Sequence, residues 1–340
     1  MATFSLGGDV HRVDGSQRSR EHRPRIRTYY EDLALALEFC RWDVEQRPLR
    51  LRVKYPSEGE RGAMATADNT KAQYWQSGVS EITSDTIFVR GYPLDDLIGL
   101  SFTSTAFLLI KGRLPTPQEA RVLDAILTSV LDYGLEKAGT AAARYVVSAN
   151  PNMQAGLATA ILSAGDYALA PENSARFIID THHAYITAGR PDPTEFAEQV
   201  VAEARAAKLR IPGFGHPVFK KTDPRAEILR QIAVDAGLWG EAAQLYEAVH
   251  KAFIRLPGRQ DFPINDVGML AAICVALEFT PQESTALAVI GTLPGVVAHI
   301  TEEYTTGRPG RVIAAEDVAY AVPRRDLAAD LEAAGWPASS

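Results

Sequence analysis

The 340-residue sequence predicts an all-α protein with a minor β hairpin on its N-terminal side. Three observations carry this. One helix-start device recurs at Thr116-Pro117-Gln118-Glu119, Asp192-Pro193-Thr194-Glu195 and Thr280-Pro281-Gln282-Glu283. Each offers a capping side chain, a proline whose missing N–H costs nothing at the first helical position, and a glutamate able to reach back to the cap. Apolar residues at helical spacing follow each start. Strand signals after residue 95 are weak, and no Gly-x-Gly-x-x-Gly or P-loop pattern is present, which disfavours nucleotide folds of the α/β type.

Taken in order, residues 1–25 are charged and aperiodic and read as a mobile arm. Residues 29–44 admit two readings: Leu33, Leu35, Leu37 and Phe39 alternate as in a strand, while length and Ala/Leu content favour a helix. Residues 47–71 read as a short strand and a loop, and the β-branched residues of 82–89, before Arg90-Gly91-Tyr92-Pro93, as a small hairpin. Leu123, Ile126, Leu127 and Val130 form one helical stripe, and Phe196, Val200 and Ala204 another. Residues 272–277 and 286–290 are apolar nearly all round, as in helices buried within a large α-domain.

With 46% hydrophobic and 23% charged residues, the chain can bury a large core and fill two domains. A net charge of −7 and pI near 5.6, with no basic stripe, argue against nucleic acid as a partner. Cys40 and Cys274 both sit in apolar patterns, which fits a reducing compartment better than a disulfide framework. The polar N-terminus lacks a secretory h-region, and no apolar run reaches the ~20 residues of a membrane span, so a cytoplasmic location is expected. The seven histidines show no metal-ligand spacing, and the adjacent His182 and His183 do not share a helix face.

Residues 213–226 say most about chemistry: Gly-Phe-Gly-His-Pro-Val-Phe-Lys-Lys-Thr-Asp-Pro-Arg-Ala. His216 can polarise a carbonyl, Arg225 can grip a carboxylate bidentately, and Lys220 and Lys221 can meet phosphate. Gly213 and Gly215, flanking Phe214, let backbone approach a ligand closely. A basic surface turn with one exposed histidine remains the competing reading. Arginine at a helix N-terminus opposes the helix dipole, so a ligand anion accounts for Arg225 better than helix charge does.

This stretch resembles the GFGH…DPRA signature of the citrate synthase superfamily. Residues 75–93 are similar to that family's entry segment, and residues 298–311 (AHITEEYTTGRPGR) to the tail of its citryl-CoA lyase branch. Pro263-Ile264-Asn265-Asp266-Val267-Gly268 lies where the branch carries PINVDG. The similarity covers about residues 70–325 in the same order. It implies a large helical domain (71–172 and 281–340) and a small one (173–280) closing over a ligand, after an N-terminal extension (1–70). It also implies a homodimer, in which Arg308 and Arg311 reach the partner's cleft and bind a carboxylate. The implied reaction makes or breaks a C–C bond beside a CoA thioester, the thioester being substrate and no cofactor being tightly held.

The departures fall on catalytic positions. Ala168 stands where the family has a histidine that holds the enolate, and Leu169 and Ala170 replace its glycines. Asp266 directly follows Asn265, one residue early for the family's base, a displacement of about 100° on a helix. Thr292 stands where the citrate synthases carry an arginine. Tyr167 offers a phenol that could replace the lost histidine, or fill core space. Asp266 is also a possible N-cap, and His299 reads as a packing or hydrogen-bonding residue on a buried helix. Two functions remain: a divergent lyase or acyltransferase using His216, Asp266 and Tyr167, or a catalytically dead dimer that binds an acid or CoA ester.

Overall fold

The computed structural model describes residues 75–337, which form one compact unit. The mobile arm, the helix at 29–44, the strand at 47–71 and Cys40 lie outside the described residues.

The hairpin is present and gains a third strand. Strands β1 (Ser80–Ile82), β2 (Ile87–Val89) and β3 (Tyr92–Pro93) form an antiparallel sheet in that order. Thr83 closes the first turn with its own hydroxyl, which accepts from Thr86 N–H at 3.1 Å. Arg90 and Gly91, at φ 50° and 86°, form the second, since a two-residue hairpin whose twist matches its strands needs both in the left-handed region.

Twelve α-helices follow among the described residues. They are α1 (Leu94–Leu97), α2 (Phe102–Lys111), α3 (Pro117–Ser129), α4 (Ala138–Ala149), α5 (Met153–Leu162) and α6 (Pro171–Thr187). The remainder are α7 (Pro193–Ala206), α8 (Pro224–Asp235), α9 (Glu241–Ile254), α10 (Asp266–Ala276), α11 (Pro281–Thr306) and α12 (Leu327–Ala333). The three anticipated starts open α3, α7 and α11. Thr116 and Thr280 form full capping boxes with Glu119 and Glu283, and Asp192 accepts from Thr194 N–H and Glu195 N–H.

Helix α11 packs against α3, α4, α5, α6 and α10. Its 26 residues are apolar enough to pass a membrane-span criterion of length and hydropathy, contrary to the expectation from the sequence. Here Leu287, Ala288, Gly291, Val296 and Ile300 are buried against the neighbouring helices. Gly291 is required by contact: a Cβ there would strike Val130, and the backbone of Leu127 lies 3.1 Å away. Helix α10 is buried from Gly268 to Cys274 and packs between α6, α8, α9 and α11. One core cluster runs from Phe107 and Leu123 through Ile178 and Val201 to Ile273 and Leu287. At about 1.5–3 kcal/mol for each fully buried large apolar side chain, this cluster is the main source of stability. It also fixes where α8 and α10 begin, and the candidate site is built at those two helix starts.

Candidate active site

The loop carrying His216 is held from three sides. Gly215 N–H donates to Pro263 O at 2.7 Å, and Asn265 N–H donates to Gly213 O at 2.9 Å. The Asn265 side chain donates to Gly215 O at 2.8 Å while its oxygen caps α10 by accepting from Gly268 N–H. Phe214 is 3% exposed and sits among Tyr246, His250 and Phe253 at 4.9–5.2 Å between ring centroids. Behind it, His250 meets Phe262 O at 2.8 Å, and burial holds its imidazole below the ordinary value.

The same contacts show what Phe214, Gly213 and Gly215 do within the protein. Phe214 anchors the loop in the core. Gly213 has φ 83° and Gly215 φ 91°, and the space their missing side chains leave is taken by protein. A Cβ on Gly213 would strike the Tyr246 hydroxyl and come within 2.8 Å of Gly268, and one on Gly215 would lie 2.9 Å from Phe262. The close backbone approach is to helix α10 and Phe262.

The loop presents His216 to Arg225 at the start of α8. His216 Nδ1 accepts from Val218 N–H at 3.1 Å and Phe219 N–H at 3.0 Å, which assigns the proton of the neutral ring to Nε2. Burial depresses the imidazole pKa, outweighing the opposite pull of Asp223, and Arg225 adds to the depression. The neutral tautomer therefore presents Nε2–H, 3.3 Å from Arg225 Nη2. Two donors meet there with no acceptor between them.

Arg225 is tied to two carboxylates. Asp223, fully buried, takes Arg225 Nε at 3.1 Å, Nη2 at 2.8 Å and backbone N–H at 3.0 Å, and also Asp266 N–H at 3.2 Å. Asp266 Oδ2 accepts from the Tyr133 hydroxyl at 2.7 Å and forms an ion pair with Arg225 Nη1 at 3.0 Å. Burial works against the guanidinium charge, but Asp223 and Asp266 outweigh it and its pKa is raised. Of the five N–H bonds of the guanidinium, two donate to Asp223, Nη1 pairs ionically with Asp266, and Nη2 also lies against His216 Nε2. Such a meeting of donors fits a ligand oxygen, carboxylate or carbonyl. His216, Asp223 and Asp266 also place metal-ligand atoms within 4.8 Å of one another, a convergence the spacing did not reveal. The Arg225 guanidinium already occupies the position of a cation among them.

The other sequence candidates separate. Asn265 supplies the cap, so Asp266 is the first residue of α10 and its carboxylate faces Arg225, despite the one-residue displacement. Tyr167 lies at the tip of a turn closed by Gly165 and Ala168, is 87% exposed, and is not part of the cluster. The phenol in the cluster is Tyr133, which no sequence motif marked. Arg311 forms a bidentate pair with Glu303 at 2.6 and 2.9 Å, which Arg144 also grips, so part of its guanidinium is engaged within the chain. Arg308 is exposed, and Lys220 and Lys221 are exposed on the His216 loop. His299 contacts Asp132 at 3.1 Å on α11, in keeping with a structural role. Leu169, in place of a family glycine, has φ 55° and packs on the core, a backbone conformation costing roughly 1–2 kcal/mol for a side-chain-bearing residue. A groove of about 540 Å³ between α7 and α9, lined by Val201, Arg205, Arg255 and Leu256 among others, contains none of the cluster residues.

Comparison with known proteins gives this geometry a context. Residues 115–313 match the family described as citrate synthase, C-terminal domain. The structure of citryl-CoA lyase from Hydrogenobacter thermophilus superposes with a TM-score of 0.68 at 33% identity, covering 76% of this chain and 100% of that one. ATP citrate lyase from Methanothrix soehngenii, solved with citrate and coenzyme A, has a TM-score of 0.64 over 86% of this chain and 48% of its own. At 19% identity that likeness concerns the fold. Citrate synthase 1 of Mycobacterium tuberculosis is 34% identical over 126 residues, 34% of this chain and 28% of that protein. The curated relatives are thus longer, and the chain spans about a quarter to a half of their length. The match covers more than half of the sequence and includes both helix starts that build the cluster: the chain belongs to the citrate synthase family.

Proposed function

We propose that the chain is an enzyme that makes or breaks a C–C bond between a CoA thioester and a 2-oxo or 2-hydroxy acid. The observation that carries this reading is the meeting of His216 Nε2–H with Arg225 Nη2, 3.3 Å apart and with no acceptor between them, next to the Asp266 carboxylate. An acid's carbonyl oxygen placed there would be polarised by both. In the condensing direction Asp266 takes the proton from the carbon beside the thioester, and the released electron pair forms the C–C bond. The alkoxide so produced takes the Nε2 proton of His216. In cleavage each of these transfers runs backwards. Ala168 supplies no side-chain donor for the enolate oxygen, so backbone N–H groups or water would have to hold it, and this makes the mechanism atypical.

In this reading Lys220 and Lys221 meet CoA phosphates, and residues 173–280 close as a small domain upon the rest. Binding also supplies the test. His216→Ala and Arg225→Ala are each expected to lower turnover or ligand affinity at least about tenfold, about 1.4 kcal/mol, a modest demand on a charge-assisted contact. Unchanged activity and affinity in both variants would make the cluster a structural remnant. Capture of CoA esters without turnover would favour the second reading, a binding or regulatory protein, which the missing donor at position 168 supports.

The active form in this proposal is a homodimer, with Arg308 serving the partner's cleft. The segment after α11 leaves Val312, Ile313, Val318, Tyr320, Val322 and Trp336 exposed at 54–84%, more apolar surface in one stretch than a free tail needs to show. Sedimentation at micromolar concentration is expected to give a dimer, and a monomer alone would overturn that part.

A further inference from the structure

We propose that Tyr133 is the positioning residue for Asp266, holding one carboxylate oxygen so that the other faces the ligand as proton acceptor. The inference rests on the reading of Asp266 as the base. Tyr133 itself lies outside the motifs that suggested the family. Asp266 Oδ2 accepts a hydrogen bond from the Tyr133 hydroxyl at 2.7 Å and forms an ion pair with Arg225 Nη1 at 3.0 Å, and no hydrogen bond reaches Oδ1 among the described residues. A carboxylate rotates easily about its last bond. With a hydrogen bond and an ion pair converging on one oxygen from different elements, that rotation is restrained and Oδ1 is the oxygen left to act as base.

The phenol is itself held from behind. Tyr133 lies in the short loop between α3 and α4, and α11 grips that loop. Gly295 N–H donates to Leu131 O at 3.0 Å, and His299 Nε2 lies 3.1 Å from Asp132 Oδ1. Gly295 lets the loop come this near: a Cβ there would strike Leu131 O and lie 2.9 Å from the Asp132 side chain. On the ring faces sit Lys137, 4.8 Å from the centroid, and Arg225 at 5.7 Å. The charged groups around the hydroxyl are therefore Asp266, Asp223, Arg225 and Lys137. Burial raises the phenol pKa most and the Asp266 charge raises it further, so the hydroxyl keeps its proton and remains a donor wherever an ordinary enzyme works.

The test uses the full chain labelled with ¹³C at tyrosine Cζ, the Tyr133 resonance being the one lost in Tyr133→Phe. That resonance is expected not to titrate near the ordinary tyrosine value of about 10. In Asp266→Asn it should titrate at lower pH than in the parent. In turnover of a CoA ester, Tyr133→Phe is expected to lower kcat about tenfold with KM changed less than about twofold. The double variant should be no slower than Asp266→Asn alone, because groups acting as a unit lose their effect together. An ordinary Tyr133 titration, one indifferent to Asp266→Asn, or an unchanged kcat in Tyr133→Phe would overturn the proposal. If the parent turns over no CoA ester, the proposed reaction falls, while the resonance still decides whether the two side chains are coupled.

Discussion

Replacing Asp223 by alanine is expected to lower the unfolding free energy by about 3–5 kcal/mol, the range for breaking a buried ion pair from one side. The side chain is 0% exposed and accepts four hydrogen bonds, two from backbone and two from Arg225. Through its own helix it caps α8, and through Asp266 N–H it satisfies the first turn of α10, so one carboxylate serves two helix N-termini. Loss of such a cap costs ~1 kcal/mol by itself, and an unsatisfied buried N–H adds about 1–3 kcal/mol. Asp266 still neutralises part of the Arg225 charge, which keeps the total below that of a fully orphaned guanidinium. Asp223→Asn keeps a capping oxygen but loses the charge, and should fall between the parent and Asp223→Ala. Denaturant titration of the three proteins checks the order. A loss below about 1 kcal/mol in Asp223→Ala would mean that the two helix starts are held by packing alone.

How much of this was legible in the sequence depended on how local the cause was. Thr116, Asp192 and Thr280 announced α3, α7 and α11 because a cap, a proline and a glutamate act within one turn. His216 and Arg225 were legible together because only seven loop residues and one helix start separate them. Asp266 was misjudged by periodicity. A one-residue shift matters within a formed helix, but at the first helical position the carboxylate can still turn back to Arg225 while Asn265 does the capping. The glycines mark places of close approach, but sequence does not say what approaches; Tyr246, Gly268 and Phe262 stand where their side chains would be. Tyr167 was chosen because it adjoins Ala168 in sequence, and the turn carries it outward to 87% exposure. Tyr133 is 133 residues from Asp266 and reaches it only because α11 seats the intervening loop. No short pattern encodes that contact.

The purified protein is expected to be slow with the family's ordinary substrates, below about 1 s⁻¹, the lower edge of ordinary turnover numbers. The assays are free-thiol release from acetyl-CoA with oxaloacetate, and oxaloacetate formation from citryl-CoA. Because Asp266 lies in the cluster, the expectation does not depend on a displaced base; it rests on Ala168. A methyl group cannot donate to a developing thioester enolate, and removal of one such donor costs on the order of 10²–10³ in rate. Leu169 reinforces the loss. It holds a left-handed conformation and packs on the core at a position where the resemblance expects glycine. Tyr167 is too exposed in this chain to take over, and Tyr133 is spent on Asp266. The expectation has a converse: Ala168→His together with Leu169→Gly should raise the rate at least about tenfold if the missing donor is the cause. A parent that already exceeds about 1 s⁻¹ in either direction would show that backbone N–H groups or water hold the enolate well enough, and that Ala168 is no defect.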